Sequence, residues 1–231
     1  MFKLFYNEFK HFLLERNGFK IIPHTTPDGT SFDIIRDMKL YICRHGQTTG
    51  DVEDRYGGNY DDHLTKLGKK QAKKLSKQLQ GKNIEVIFSS SLIRAKETAE
   101  VLSKALSLEV VEMDNLKERD WFGILTGMVK SEAKKLHPEL VEQSKDFMNT
   151  IDGAEGQESF SKRIHKALKE ISQKDHKVVA VVTHGGPIKA MLGKISYAPD
   201  YKIEDCAYAE LETVENKLNV VGLHGIEPAT G

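Results

Sequence analysis

The sequence predicts an α/β protein of three layers (α/β/α), with a mostly parallel central sheet and helices on both of its faces. Three observations point there. From Met38 onward short apolar runs alternate with longer helical patterns, the signature of βαβ units. One run, KVVAVV at 177–182, is apolar at every position after Lys177, as a strand covered on both faces must be. A chain of 231 residues, 39% hydrophobic and 29% charged, is ample for one such core and does not require two.

Taken in order, residues 1–16 space Leu4, Phe5, Phe9, Phe12 and Leu13 along one helical face until Asn17-Gly18 stops the pattern. FKIIPHTT and TSFDIIRD then flank the turn signal Pro27-Asp28-Gly29, which predicts a hairpin. This extension, residues 1–37, precedes a main domain at 38–231. KLYIC at 39–43 is its first strand, and Leu67, Leu75 and Leu79 mark a lysine-rich surface helix over 65–80. IEVIFS (84–89) and LEVVEM (108–113) read as strands around a helix that carries Leu92, Ala95, Ala99, Leu102 and Leu106. A polar helical stretch broken at Pro138 covers 128–149, and 152–157 is a loop. Phe160, Ile164, Leu168 and Ile171 mark the next helix, a short one runs from Pro187 to Gly193, and CAYAELETV and KLNVVGL form a closing antiparallel hairpin around Glu215-Asn216.

Composition excludes several function classes. Lys plus Arg (34) balances Asp plus Glu (34), so no overall field draws in nucleic acid or an anionic membrane, and any anion site must be local. Cys43 and Cys206 offer neither a disulfide framework nor metal-ligand spacing, which suits a reducing compartment, and the cytoplasm is the expected location. No apolar run approaches the roughly 18 residues of a membrane span, and the start of the chain lacks a secretory pattern.

In open α/β sheets the ligand crevice lies beyond the carboxyl ends of the strands. There the sequence places Arg44-His45-Gly46-Gln47-Thr48 after the first strand, Ser89 to Arg94 at the second, and Thr183-His184-Gly185-Gly186 after the apolar one. Two arginines and two histidines thus converge. Arginine binds phosphate oxygens bidentately, an uncharged imidazole can attack phosphorus, and glycines permit close backbone approach. Phosphoryl transfer needs both donors and an in-line nucleophile. A metal centre fits poorly, because the arginines would sit beside the cation and no carboxylate or thiolate is at hand to complete its shell.

These residues are similar to the histidine phosphatase superfamily, in the branch that includes cofactor-dependent phosphoglycerate mutase. The similarity runs from Leu40 to Leu223: Arg44 to Thr48, Arg55 to Gly58, the Leu-Thr-x-x-Gly-x-x-Gln-Ala pattern at Leu64 to Ala72, the Ser-Ser-x-Leu-x-Arg-Ala-x-x-Thr-Ala pattern at Ser89 to Ala99, Leu116 to Arg119, a degraded Gly-Glu-Ser motif at Gly156 to Ser159, and Thr183 to Gly186. The resemblance implies His45 as nucleophile, Arg44, Arg94 and His184 around the phosphoryl oxygens, Thr48, Arg55 and Gly185 as further phosphate or substrate contacts, and Glu118 as proton donor. It implies no metal and no cofactor. Asp120 rivals Glu118, because the chain carries an apparent one-residue insertion after the glutamate. Where many relatives have Trp-Asn this chain has Gly50-Asp51, whose carboxylate either points away or favours a substrate with an extra hydrogen-bond donor. Arg119 is either a substrate anchor or a solvated arginine, and Trp121 and Phe122 either line the substrate mouth or pack beneath a loop.

The expected function is metal-independent hydrolysis of a small phosphorylated metabolite through a phosphohistidine. Mutase relatives carry a long insertion with consecutive arginines after the glutamate, whereas here no arginine stands between Arg119 and Arg163. A bisphosphoglycerate-dependent phosphoglycerate mutase is the second reading. The third is an idle phosphate-binding module that works through its N-terminal extension. That extension could also serve a homo-oligomer contact, or simply pack on its own domain.

Overall fold

The computed structural model describes residues 20–21, 37–146, 150–192, 201–214 and 217–228. They form one seven-stranded sheet in the order β1-β7-β6-β2-β5-β3-β4, with β1 at Lys20–Ile21, β2 at Met38–Arg44, β3 at Val86–Ser90, β4 at Val110–Met113, β5 at Val178–Thr183, β6 at Tyr201–Val214 and β7 at Lys217–Pro228. From β2 to β4 every neighbour is parallel, whereas β6, β7 and β1 add on antiparallel. The sheet is therefore mixed, with a parallel centre and a hairpin edge. The expected N-terminal helix and the second arm of the first hairpin lie outside the described residues. Lys20–Ile21 of its first arm pairs with Val220 and Asn219 of β7.

Seven helices are described: α1 (Thr49–Val52), α2 (Lys66–Leu79), α3 (Ile93–Leu106), α4 (Lys130–Leu136), α5 (Pro138–Gln143), α6 (Gln157–Ser172) and α7 (Gly185–Met191). Side chains alternate across a strand, so each strand feeds two cores. Leu40, Ile42, Phe88, Val179 and Val181 pack under α6 and α7. Tyr41, Cys43, Ile87, Ala180 and Val182 pack under α2 and α3. Each fully buried Leu or Ile of these layers contributes about 1.5–3 kcal/mol relative to exposure. The buried stripe of α2 is Gly68, Ala72, Leu75, Ser76 and Leu79, so Leu75 and Leu79 face the core as expected, whereas Leu67 is 48% exposed. Pro138 opens α5 at its first turn, where its missing N–H costs nothing. Among the described residues no helix is long and apolar enough to cross a membrane.

Register is what positions the site. Arg44 stands opposite Thr183 across β2 and β5, and Ser89 opposite Val182 across β3 and β5. The parallel strands consequently end together and deliver Arg44-His45, Ser90 and Thr183-His184 to one edge. α7 begins two residues before Pro187, which draws Gly185 and Gly186 into its first turn. A third, smaller cluster of Tyr56, Leu125, Ala133 and Ile151 supports the wall beside that edge.

Candidate active site

His45 is pinned through its backbone to both neighbouring strands: its N–H donates to Thr183 O at 3.0 Å, and its carbonyl accepts from Cys206 N–H at 3.1 Å. The imidazole Nδ1 lies 2.8 Å from Gly46 O. A carbonyl can only accept, so Nδ1 carries the ring proton and Nε2 keeps its lone pair. Arg94 Nε donates to that Nε2 at 3.1 Å and to His184 Nδ1 at 3.2 Å. His184 must then be protonated on Nε2, which donates to Ser90 Oγ at 2.8 Å. The two rings stand 5.1 Å apart, centroid to centroid. Burial, followed by the positive charges of Arg94 and Arg44, holds both histidines well below the usual imidazole pKa. Both rings are thus neutral, and His45 presents an unprotonated nitrogen beside a guanidinium.

Arg94, only 4% exposed, reaches the site from the first turn of α3. Its Nη1 donates to Tyr60 O and pairs with Asp62 Oδ1 at 3.1 Å, and its Nη2 donates to Gly58 O at 2.8 Å. Asp62 is equally buried, and its second oxygen accepts from Gly50 N–H at 3.3 Å. Arg44 projects from the end of β2, where it donates to Ile203 O and pairs with Asp205 at 3.3 Å. Arg55 donates to Gly127 O at 2.7 Å, pairs with Glu53, and lies over the Tyr60 ring.

Of the expected site residues, Arg44, His45, Thr48, Arg55, Arg94, Glu118 and Gly185 all line a single cleft of about 170 Å³. That is below the roughly 300–1,000 Å³ of sites for drug-sized ligands, and its walls are polar. His184 sits behind the cleft, fully buried, and touches it through Arg94. Glu118 lines the same cleft as His45, with both carboxylate oxygens fixed: one accepts from Arg119 N–H at 2.8 Å, the other from Gly186 N–H at 3.0 Å. A Cβ on Gly186 would come within 2.1 Å of that carboxylate.

Asp51 lines the cleft, yet its carboxylate is engaged in a capping box: it accepts from Thr48 N–H at 2.8 Å and from Thr48 Oγ1 at 2.9 Å, and Thr48 Oγ1 in turn accepts from Asp51 N–H. Asp120 accepts from Thr126 Oγ1 at 2.9 Å and does not line the cleft, whereas Glu118 does. Arg119 is neither solvated nor in the cleft; it is 3% exposed and donates to Glu155 O and Gln157 Oε1. Trp121 donates to Ser144 O, and Phe122 packs on Tyr56 with ring centroids 4.7 Å apart, so both lie under the loops. Sequence reasoning gave no role to Asp62, Asp205, Glu155 or Arg163. Glu158, within the stretch likened to Gly-Glu-Ser, pairs with Lys162 on the surface, while Glu155 is the carboxylate that meets an arginine, Arg163. Among the described residues no three His, Cys, Asp or Glu side chains come together as a metal-ligating group.

Comparison with known proteins identifies a family and related folds. Residues 40–224 match the histidine phosphatase superfamily (branch 1). An uncharacterized phosphatase, PhoE, of Bacillus subtilis is 33% identical over 67% of this chain and 76% of its own length. Phosphoserine phosphatase 1 of Hydrogenobacter thermophilus is 32% identical over 67% of this chain and 74% of its own. Among solved structures, a putative alpha-ribazole-5'-P phosphatase from Escherichia coli superposes with a TM-score of 0.72 at 22% identity, over 81% of this chain and 96% of that one.

Proposed function

The chain belongs to branch 1 of the histidine phosphatase superfamily, and from that premise we propose that it is a metal-independent phosphatase that hydrolyses a small phosphomonoester through a phosphohistidine on His45. The observation that carries this reading is the fixed tautomer: Nδ1–H bound to Gly46 O leaves Nε2 unprotonated, with its lone pair accepting from the Arg94 guanidinium that lines the same cleft.

The reaction follows from these positions. A phosphoryl oxygen takes over the Arg94 N–H that now points at His45, and Arg44 supplies further positive charge. Nε2 attacks phosphorus, the phosphorus–oxygen bond to the leaving group breaks, and Glu118 gives its proton to the departing oxygen. Water then attacks phosphorus, Glu118 takes a proton back, and the phosphorus–nitrogen bond breaks to release orthophosphate. One carboxyl group alternates between acid and base, as a two-step transfer through a covalent intermediate requires. His184 acts from behind, holding Arg94 in line. Support for hydrolysis over phosphoryl return to a second hydroxyl comes from the segment after Arg119, which carries no arginine before Arg163: Arg119 itself donates to Glu155 O and Gln157 Oε1, and Arg163 is spent on Glu155 and backbone carbonyls. The substrate is a small phosphorylated metabolite, and two buried cysteines that form no disulfide suit the cytoplasm.

Wild type and His45→Ala are compared on a generic phosphomonoester in the presence of chelator, following phosphate release and acid-labile labelling of the protein. Turnover and labelling in wild type, with both reduced on the order of 10³-fold or more in the variant, are expected. Metal-dependent turnover, or labelling that survives in His45→Ala, would sink the reading. Conversion of 3-phosphoglycerate to 2-phosphoglycerate, stimulated by the bisphosphate, would replace it with the mutase.

A further inference from the structure

We propose that the Glu155–Arg163 ion pair is the positioning device of the proton donor: a guanidinium from α6 clamps the turn that carries Glu118 and sets where its carboxylate meets the leaving oxygen. The inference rests on the reading of Glu118 as that donor.

The turn after β4 leaves carbonyls that no strand ladder satisfies, and a buried orphan carbonyl is costly. Arg163 collects three of them. Its Nη1 donates to Asn115 O at 3.1 Å and to Lys117 O at 2.9 Å, and its Nη2 donates to Glu118 O at 3.2 Å. Glu155 takes the remaining edge of the fork side-on, with Nε at 2.9 Å and Nη2 at 2.6 Å. Glu155 is itself tied across Glu118 to the far side of the turn: its backbone N–H donates to Asp120 O at 2.6 Å, and its carbonyl accepts from Arg119 Nε at 2.8 Å. Segment 115–120 is therefore held at both ends to the start of α6, and Thr183 Oγ1, donating to Leu116 O at 2.7 Å, ties it to β5.

Neither Arg163 nor Glu155 lines the cleft. Their effect on chemistry runs through the backbone of Glu118, whose carboxylate then needs only Arg119 N–H and Gly186 N–H to fix its direction. A lysine could supply charge here but not the planar fork that reaches three carbonyls and a carboxylate at once. Geometry is where the leverage lies, because a displacement of about 1 Å at a reacting group costs up to about 10²-fold.

General acid assistance matters in proportion to how poor the leaving group is, and this supplies a readout that a merely structural role would not move. Arg163→Lys and Glu155→Gln are assayed beside wild type and Glu118→Gln on phosphomonoesters graded from nitrophenyl to alkyl. Glu118→Gln is expected to lose far more on alkyl than on nitrophenyl esters. Arg163→Lys should repeat that slope at smaller size, on the order of 10–100-fold on alkyl esters against less than about 3-fold on nitrophenyl, with KM and the amplitude of protein labelling unchanged. An equal loss on all esters, or no loss, in folded Arg163→Lys and Glu155→Gln overturns the inference alone. If Arg163→Lys does not fold by circular dichroism, Glu155→Gln is read by itself, since the amide keeps the side chain's size and one acceptor oxygen for the fork while removing its charge. Absence of wild-type turnover on every ester sinks the phosphatase reading, and a flat Glu118→Gln series sinks the acid assignment; each takes this inference with it.

Discussion

A buried guanidinium is tolerable only when its donors find acceptors and its charge finds a partner. Arg94 meets the first condition with two imidazole nitrogens and two carbonyls, and the second with Asp62, which is as buried as Arg94 itself. Breaking one side of such a pair leaves the other charge unsatisfied, at a cost of about 3–5 kcal/mol. Asp62→Ala is therefore expected to lower stability by that amount in urea denaturation. It should also lower kcat, because the guanidinium would keep only its two carbonyl anchors and Nε would be held less firmly in line with His45. A variant with wild-type stability would mean that Asp62 is not the counter-charge. Asp62 was invisible in the sequence for a physical reason. It sits in a loop without periodicity, and only the fold brings it against an arginine 32 positions away. His45, Arg44, Arg94 and His184 were legible because strand ends converge in any parallel sheet, so a chemistry-bearing residue immediately after a strand is already placed.

Between elements, a very tight approach is that of the loop after β2 to the first turn of α2. A Cβ on Gly68 would lie 2.1 Å from Gln47 O, and one on Gly46 would lie 2.6 Å from Gly68 O. Gly to Ala inside a helix ordinarily stabilises by about 0.8–1 kcal/mol. Here the obstacle is backbone, which cannot rotate aside, and overpacking costs about 1–3 kcal/mol or more. The clash wins, so Gly68→Ala is expected to lower the melting temperature rather than raise it, and to weaken activity by displacing Gln47 and Thr48. An unchanged or higher melting temperature would show that the loop yields freely. Strands and long helices were readable from period and composition, since burial on two faces imposes those patterns. The ends were less so. The start of α7 at Gly185 reflects the demand of Glu118 for a backbone N–H, a tertiary partner that no local pattern encodes. Among the leucines of α2 only Leu67 misled, for the converse reason: glycine and alanine continue the buried stripe of Leu75 and Leu79.

At the scale of the molecule, the two faces of the sheet are ordinary apolar layers, and the polar cost is concentrated at one edge, where His45 and His184 are kept neutral. That concentration has a consequence for acid stability. In the folded chain both imidazoles have a pKa well below the ordinary value, chiefly through burial and then through the neighbouring arginines, whereas in the unfolded chain each binds a proton near pH 6.5. Between those two values the unfolded state binds more protons, so stability rises with pH there. The contribution is complete above about pH 6.5 and is lost as the pH falls below it, with a slope of up to about 1.4 kcal/mol per pH unit for each histidine. Carboxylates held below their usual pKa by partners, such as Glu97 and Asp114, begin to cost stability only nearer pH 4, so the two windows separate. Urea denaturation at pH 8, 7, 6 and 5 should be flat at the alkaline end and steepen below pH 6.5. Replacing His184 with Asn should remove about half of that steepening while leaving the fall near pH 4 in place. A stability profile level from pH 8 to pH 5 would mean that these rings accept protons inside the fold, and with it the claim that His45 stands as a neutral nucleophile beside Arg94 would fail.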